Sequence, residues 1–414
     1  MVFEVLKGTK DYEPALQIVV NEVVSTLAKN FERHGFRPFE TPTIEYFETL
    51  TNKYDEDSEI VQEIFKVMDR GGRTLGLRYD LTVPLCRYIA QKKQLKLPFR
   101  RYHVAKVFRD GPTKPGRSRE FMQCDADVVG IEGVEVEAEL LSMFYEGYKK
   151  LGINAILELN SNKILRGVFL QFGFEENDLQ SLILSTDKLK KIGMDKVLAE
   201  MKSQHYDEER AKKALQLLCE NDIKELREKA QNPLLVQGVE ELSSLLALLD
   251  VLQVQYRVNL SMSRGLNIYT GNIWEAYDKD EHISSSIGSG GRYDNAIGNF
   301  IGDGRSFPAV GVSYGIVPVL ECLKEKEHRE GVTDILVIPL DESLVLQALS
   351  LAKLLREEEQ NTEVFYGFKL KKAFDYADYL GIKQLAILGK KDIEGGVYTL
   401  RNLQSKEERK ISFS

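Results

Sequence analysis

The chain has 414 residues, more than one compact core usually takes, so two or three domains are expected. Hydrophobic residues make up 43% and charged residues 29%, a globular balance that excludes a collagen-like chain, a disordered tail protein and a coiled-coil rod. Lys and Arg number 56 against 64 Asp and Glu, a formal charge of −8, which excludes a general nucleic-acid coat because non-specific binding rests on neutralising phosphates.

The N-terminus, MVFEVLKGTKDYEP, carries charges where a signal peptide needs an apolar stretch, so no export is indicated. Next comes a helix signal. Leu16, Val19, Val20, Val23, Val24, Leu27 and Phe31 recur at helical spacing, and Gly35 follows as a natural stop. FRPFETPTIEY then predicts a strand ending at Pro42. From Arg73 to Gly130 short strand-like runs alternate with charged turns. Two of them, PFRRYHVAKVFRDG and REFMQCDADVVG, predict a long hairpin and hence an antiparallel sheet.

Residues from about 163 to 255 read as charged amphipathic helices, a helical insertion in a strand-rich domain. Its most apolar stretch, LSSLLALLDVL, is broken by Asp250 and too short to cross a bilayer. Strand-like text resumes at YRVNLSMSRGLNIYTGNIWEAY and continues through SSSIGSGGRYD and FPAVGVSYG. After EKEHREGV the character changes again. DILVIPL suits a buried parallel strand, and a helix follows with Leu344, Val345, Ala348, Leu349, Ala352 and Leu355 on one face. TEVFYGF, LKKAFDYADYLG and KQLAILG repeat the order strand, helix, strand, and GGVYTLRNL opens a final hairpin. Residues 333–414 are thus predicted as a small α/β domain beside a core of residues 1–325.

Four cysteines, Cys86, Cys124, Cys219 and Cys322, show no CxxC spacing, so a reducing cytoplasm is expected, with neither a disulfide framework nor a zinc site. The five histidines show no metal-ligand spacing either. The hairpin is richer in candidates. Arg109 ends its first strand, and period-two spacing puts Arg117, Arg119, Gln123 and Asp127 on one face of the second. Cations there suit an anionic ligand such as a polyphosphate; the alternative is a solvated face laced with salt bridges. Asp80 and Thr82, two apart in LRYDLTVPL, would share a strand face and could hold an ammonium group, or stand on a plain surface edge. Arg264 and Tyr269 in RGLNIYTG, and Tyr293 after SIGSGGR, lie beside glycines that signal either close approach of a ligand or a tight bend. Lys369, Lys371 and Lys372 open a basic helix. SIGSGGRYD fits neither a dinucleotide-binding nor a P-loop motif.

KGTKDY, LRYDLTVPLCRYIA, KVFRDGPTKPGRSREFMQCDADVVG, RGLNIYTGNIWE and SIGSGGRYDNAIG, in this order, resemble the histidyl-tRNA synthetases. LKKAFDYADYLGIKQLAILG and GGVYTLRNL resemble that family's anticodon-binding domain. The resemblance covers nearly the whole chain. It implies a class II synthetase core, an antiparallel sheet flanked by helices, in a homodimer whose first motif contains Pro42. It also implies ATP with Mg2+, histidine and tRNA(His) as partners. Arg109 matches the arginine that grips the α-phosphate and the amino-acid carboxylate, and Arg264 the one that bonds the α-phosphate from the other side. Asp80 and Thr82 match the pair around the α-amino group. Gln123 and Asp127 match positions at the amino acid, and Tyr269 and Tyr293 those around the imidazole. Arg117 and Arg119 are carried over to ATP, and Lys369, Lys371 and Lys372 to tRNA.

Two positions depart from the family's pattern. Val317 and Pro318 stand where the third motif has an acid and an arginine, and Gly111 where an acid is common. The expected activity is a cytoplasmic histidine–tRNA ligase, with no membrane association. The alternatives are a non-catalytic paralogue that regulates ATP phosphoribosyltransferase and a sensor of uncharged tRNA.

Overall fold

The computed structural model describes residues 3–52, 59–92, 94–113, 118–264, 268–302, 305–324 and 330–412. Contacts divide the chain into two compact units, Met1–Lys10 with Val23–Lys324, and Asp11–Glu22 with Glu325–Ser414. The opening helix, Pro14–Arg33, is shared between them.

The first unit holds strands β1 (Arg37–Pro38), β2 (Ile44–Tyr46), β3 (Lys66–Met68), β4 (Thr74–Leu77), β5 (Phe99–Phe108), β6 (Glu120–Val129), β7 (Ala155–Ser161), β8 (Tyr256–Val258), β9 (Asn272–Asp278), β10 (Gly288–Arg292) and β11 (Ala309–Gly315). Eight of them form one sheet in the order β1-β5-β6-β11-β10-β9-β7-β8. The expected long hairpin is β5 with β6, paired from Phe99↔Val129 to Phe108↔Glu120. The sheet is antiparallel through its six central strands, whereas each edge strand runs parallel to its neighbour, β1 to β5 and β8 to β7. The sheet is therefore mixed. Both edge strands are reached by long connections, which a two-residue hairpin turn cannot provide.

Alternation along β6 assigns its two faces. Cys124, Ala126 and Val128 point to an apolar layer, and Gln123, Asp125 and Asp127 to the other side. On the apolar side, Tyr314 of β11 packs 4.5 Å from Phe144 and 5.9 Å from Phe31, ring centre to ring centre. Its hydroxyl donates to the Phe144 carbonyl at 2.8 Å, so the one polar atom it buries is paired. Phe144 belongs to the helix Glu135–Leu151, which Gly152 ends in the left-handed conformation at φ +69°.

Between β7 and β8 the chain is helical, from Asn162–Gln171 to Pro233–Val251. Side chains start these helices by accepting from free N–H groups: Asp207 from Arg210, Asp222 from Lys224 and Glu225, and Asn232 from Leu234 and Leu235. A separate three-stranded sheet, β2-β4-β3, carries Ile44, Tyr46 and Val67 exposed on the same face as Leu75 and Leu77.

The second unit contains β12 (Ile335–Pro339), β13 (Thr362–Val364), β14 (Gln384–Leu388), β15 (Val397–Asn402) and β16 (Glu408–Ser412), in the order β13-β12-β14-β15-β16. The first three are parallel and the last two form the terminal hairpin. All five residues of β12 are buried, as a continuous apolar run requires. Helix Val345–Glu357 buries Ala348, Leu351, Ala352 and Leu355, while Leu349, expected on that face, is exposed.

Candidate active site

The polar face of the large sheet floors a cleft of about 550 Å³. Register lines up its side chains in rows. His103, Asp125, Ser313, Ser289 and Glu275 lie side by side across β5, β6, β11, β10 and β9. The next row reads Arg101, Asp127, Gly311, Gly291 and Ile273. The two glycines make room. A Cβ on Gly311 would overlap the Asp127 carboxylate, and one on Gly291 would stand 2.7 Å from the Tyr269 ring. Close approach of side chains is thus the reason for glycine in these strands.

Of the residues singled out in the sequence, Asp80, Thr82, Arg109, Gln123, Asp127, Arg264, Tyr269 and Tyr293 all line this cleft. Arg109 follows the last residue of β5, its Nε donating to the Tyr79 carbonyl at 3.2 Å and its guanidinium 5.1 Å from the Phe121 ring centre. Among the described residues it forms no ion pair, which leaves its charge for a ligand. Arg264 instead pairs with Glu275 at 2.7 Å and lies against Tyr269. Burial works against its charge, but Tyr269 and Glu275 outweigh that and hold its pKa above the usual arginine value. Gln123 donates to the Ser313 hydroxyl at 3.3 Å. Tyr293, buried, donates to Asp127.

Asp80 and Thr82 share the cleft but not a strand. β4 ends at Leu77, Thr82 begins the helix Thr82–Gln91, and the Asp80 carboxylate accepts from the Val83 N–H at 2.9 Å. Two-residue spacing fits a helix start as well as a strand, and a carboxylate before free N–H groups settles it in favour of the helix. Arg119 departs further from expectation. It precedes β6, pairs with Asp110 at 3.3 Å, donates to the Gly111 carbonyl at 3.3 Å, and is not among the residues lining the cleft. Arg117 lies outside the described residues. Lys369, Lys371 and Lys372 are exposed in the second unit, the first as N-cap of the helix Leu370–Tyr379 and the others in its opening turn.

Three further groups escaped the sequence reading. Arg101, 0% exposed, pairs with Asp127 at 2.7 Å and donates to the Leu81 carbonyl at 3.1 Å. One buried cation thereby fixes both Asp127 and the turn that carries Asp80 and Thr82. Asp125, 5% exposed, lines the cleft between Gln123 and Asp127. Glu63 lines the cleft too, and a Cβ on Gly111 would overlap its carboxylate. A carboxylate from another segment thus stands beside Gly111. Val317 and Pro318 also line the cleft, in the first turn of the helix Ile316–Cys322, and bring no charge.

Two cations that converge with carboxylates in one covered cleft can orient an anionic ligand against an ammonium group. Comparison with known proteins gives the family. The histidyl-tRNA synthetase family model matches residues 8–319, and the anticodon-binding-domain model matches residues 334–414. A histidine–tRNA ligase from Bacillus cereus is 39% identical over 416 residues, 99% of this chain and 95% of the relative. The crystal structure of histidyl-tRNA synthetase from Nostoc sp. superposes with a TM-score of 0.87 at 27% identity, covering 100% of this chain and 97% of that one. A Bacillus halodurans structure, titled as an ATP phosphoribosyltransferase regulatory subunit/histidyl-tRNA synthetase, has a TM-score of 0.78 at 20% identity, with coverage of 94% and 98%, and speaks to fold alone. The chain belongs to the histidyl-tRNA synthetase family, and its sheet and flanking helices are the class II synthetase fold.

Proposed function

We propose that this chain is a histidine–tRNA ligase, acting on histidine, ATP with its Mg2+, and tRNA(His). The observation that carries the reading is the convergence of Arg109 and Arg264 with Asp80 and Asp127 in a single cleft. The histidine carboxylate attacks the α-phosphorus, the bond to pyrophosphate breaks, and histidyl-adenylate forms. A terminal ribose hydroxyl of the tRNA then attacks the acyl carbon and AMP leaves. The attacking carboxylate is already ionised, so no general base is needed in the first step. Positioned cations lower the barrier by meeting charge as it develops at phosphorus. Magnesium bound to ATP would supply screening of the pyrophosphate charge.

Within this reading Asp80 and Thr82 hold the α-amino group. Tyr269, Tyr293, Gln123 and Asp127 surround the imidazole, and residues 333–414 bind the anticodon stem and loop through Lys369, Lys371 and Lys372. Helix N-terminus and lysine charge together suit backbone phosphates on an otherwise acidic protein. The exposed apolar face of Ile44, Tyr46 and Val67, next to Pro42, supports a homodimer, which sedimentation tests directly. No described helix is long and apolar enough to cross a membrane, and a cytoplasmic location is part of the proposal.

Two rival roles, regulatory subunit and uncharged-tRNA sensor, require no adenylate chemistry. The uncharged pair Val317 and Pro318 is the feature that favours the sensor. Incubating the chain with labelled histidine, ATP, Mg2+ and tRNA(His) separates them. Esterified histidine with release of AMP is expected. Tight tRNA binding with no charging would replace the ligase with the sensor.

A further inference from the structure

We propose that Asp125 sets the charge of the cleft floor: its carboxyl is neutral while the cleft is empty and becomes an anion when a cationic amino acid binds, so that one proton leaves to solvent as the substrate enters. The neutral floor rests on geometry; the identity of the cation rests on the ligase reading.

Asp125 shares the buried sheet face with one other carboxylate, Asp127, and one buried cation, Arg101, while Arg109, Arg264 and Asp80 line the same cleft. Asp127, on the same strand face, holds Arg101 at 2.7 Å and takes the Tyr293 hydroxyl. Asp80, before the helix Thr82–Gln91, accepts from the Val83 N–H. The Asp125 Oδ1 is buried and has no hydrogen-bond partner among the described residues. Arg101 and Asp127 neutralise each other, so an ionised Asp125 beside them would leave an unmatched negative charge under cover, and Asp125 is the carboxyl that keeps a proton.

The other neighbours do not change that count. His103 faces Asp125 from β5, and burial, then Arg101 and Arg78, lower its pKa to about 3, so it is neutral. Ser313 faces Asp125 from β11 with a hydroxyl, and Cys124, adjacent on β6, is held as a thiol by burial. Tyr269, from the loop before β9, is likewise held as a phenol by burial. Gln123 carries no charge, and Arg264 is already paired with Glu275. Burial first, offset by Arg101 and reinforced by Asp127 and Asp80, pushes Asp125 up to about 7, while Ser313 favours its anion. An ammonium or imidazolium group brought into the cleft supplies the missing positive charge and draws the proton off.

Histidine binding measured by calorimetry in two buffers of different ionisation heat counts the protons released. Near pH 6.5 the parent should release more than Asp125→Asn. The parent's affinity should also gain about tenfold more than the variant's between pH 6 and pH 8, because the ionised fraction of such a carboxyl rises by that factor. The free ligand's imidazole titrates identically in both experiments, and the infrared band of the carboxyl reads Asp125 itself. In the infrared, the empty parent at pH 6 should show a protonated-carboxyl band that histidine abolishes. This reading needs no variant, should Asp125→Asn fail to fold. Ser313→Ala should move the band's midpoint to higher pH. Absence of the band from the empty parent, or equal proton release and equal pH slope in both proteins, overturns the proposal. A parent that binds histidine and keeps the band overturns the coupling alone. A parent that binds no histidine overturns the ligase reading and the coupling with it.

Discussion

In the eight-stranded sheet, register sets His103, Asp125, Ser313, Ser289 and Glu275 across five strands, with Arg101 and Asp127 in the adjacent row and none of them exposed. In the five-stranded sheet, β12 is apolar and buried at every residue, and the lysines at the start of the helix Leu370–Tyr379 stand in solvent. The two regions use charge for different ends. Buried charges are costly to hold, yet they are pre-aimed and act strongly at short range. Exposed charges cost little and act over about 10 Å, but salt screens them. The first arrangement suits chemistry on a small substrate, the second the phosphates of a large one.

The difference predicts how unequally substitutions will tell. Asp127→Ala removes the partner of a fully buried arginine and should destabilise the chain by about 3–5 kcal/mol in chemical denaturation. A loss within 1 kcal/mol would show that Arg101 finds another anion. Arg264→Ala should slow single-turnover adenylate formation by roughly 10²–10³-fold, typical of losing one transition-state donor, while the fold persists. Unchanged adenylation would remove Arg264 from the reaction.

Asp125→Asn sharpens the contrast from the stability side. Between the usual carboxyl pKa of 3.8 and about 7, the folded chain keeps a proton that the unfolded chain loses. Stability of the empty protein therefore falls as pH rises through that window. The variant should be close to the parent near pH 4 and exceed it by about 4 kcal/mol at pH 8. Parallel pH–stability curves would mean that Asp125 ionises normally.

Replacing Lys369, Lys371 and Lys372 together by alanine should change stability by less than about 0.5 kcal/mol, since all three are exposed. It should flatten the salt dependence of tRNA binding by roughly 0.7–0.9 in log–log slope for each phosphate no longer neutralised. An unchanged slope would place tRNA elsewhere.

The sequence made the hairpin β5–β6 legible because two strand-like runs flank a charged turn, and two-residue spacing put Gln123 and Asp127 on a common face. It could not reveal that β11 lies against β6, because that register joins residues almost two hundred positions apart. Ser313 beside Asp125 was therefore invisible, and with it the reason Asp125 lacks a cation of its own. Arg101 was missed because RR at a strand start resembles a solvated edge. Its signal was two-residue spacing, which puts Arg101 and His103 on the same strand face as Phe99, Ala105 and Val107. Arg119 stands immediately before the first residue of β6, and its pairing with Asp110 across the turn leaves no mark in spacing.

The claim that the buried floor performs amino-acid activation is tested most directly by ATP–pyrophosphate exchange with the full chain in the presence of Mg2+. Exchange should depend on histidine and be far weaker with leucine or phenylalanine, because an apolar side chain leaves the buried polar groups of Gln123, Asp127 and Tyr293 unpaired. Exchange with leucine or phenylalanine within tenfold of histidine, or none with any amino acid, would contradict the account.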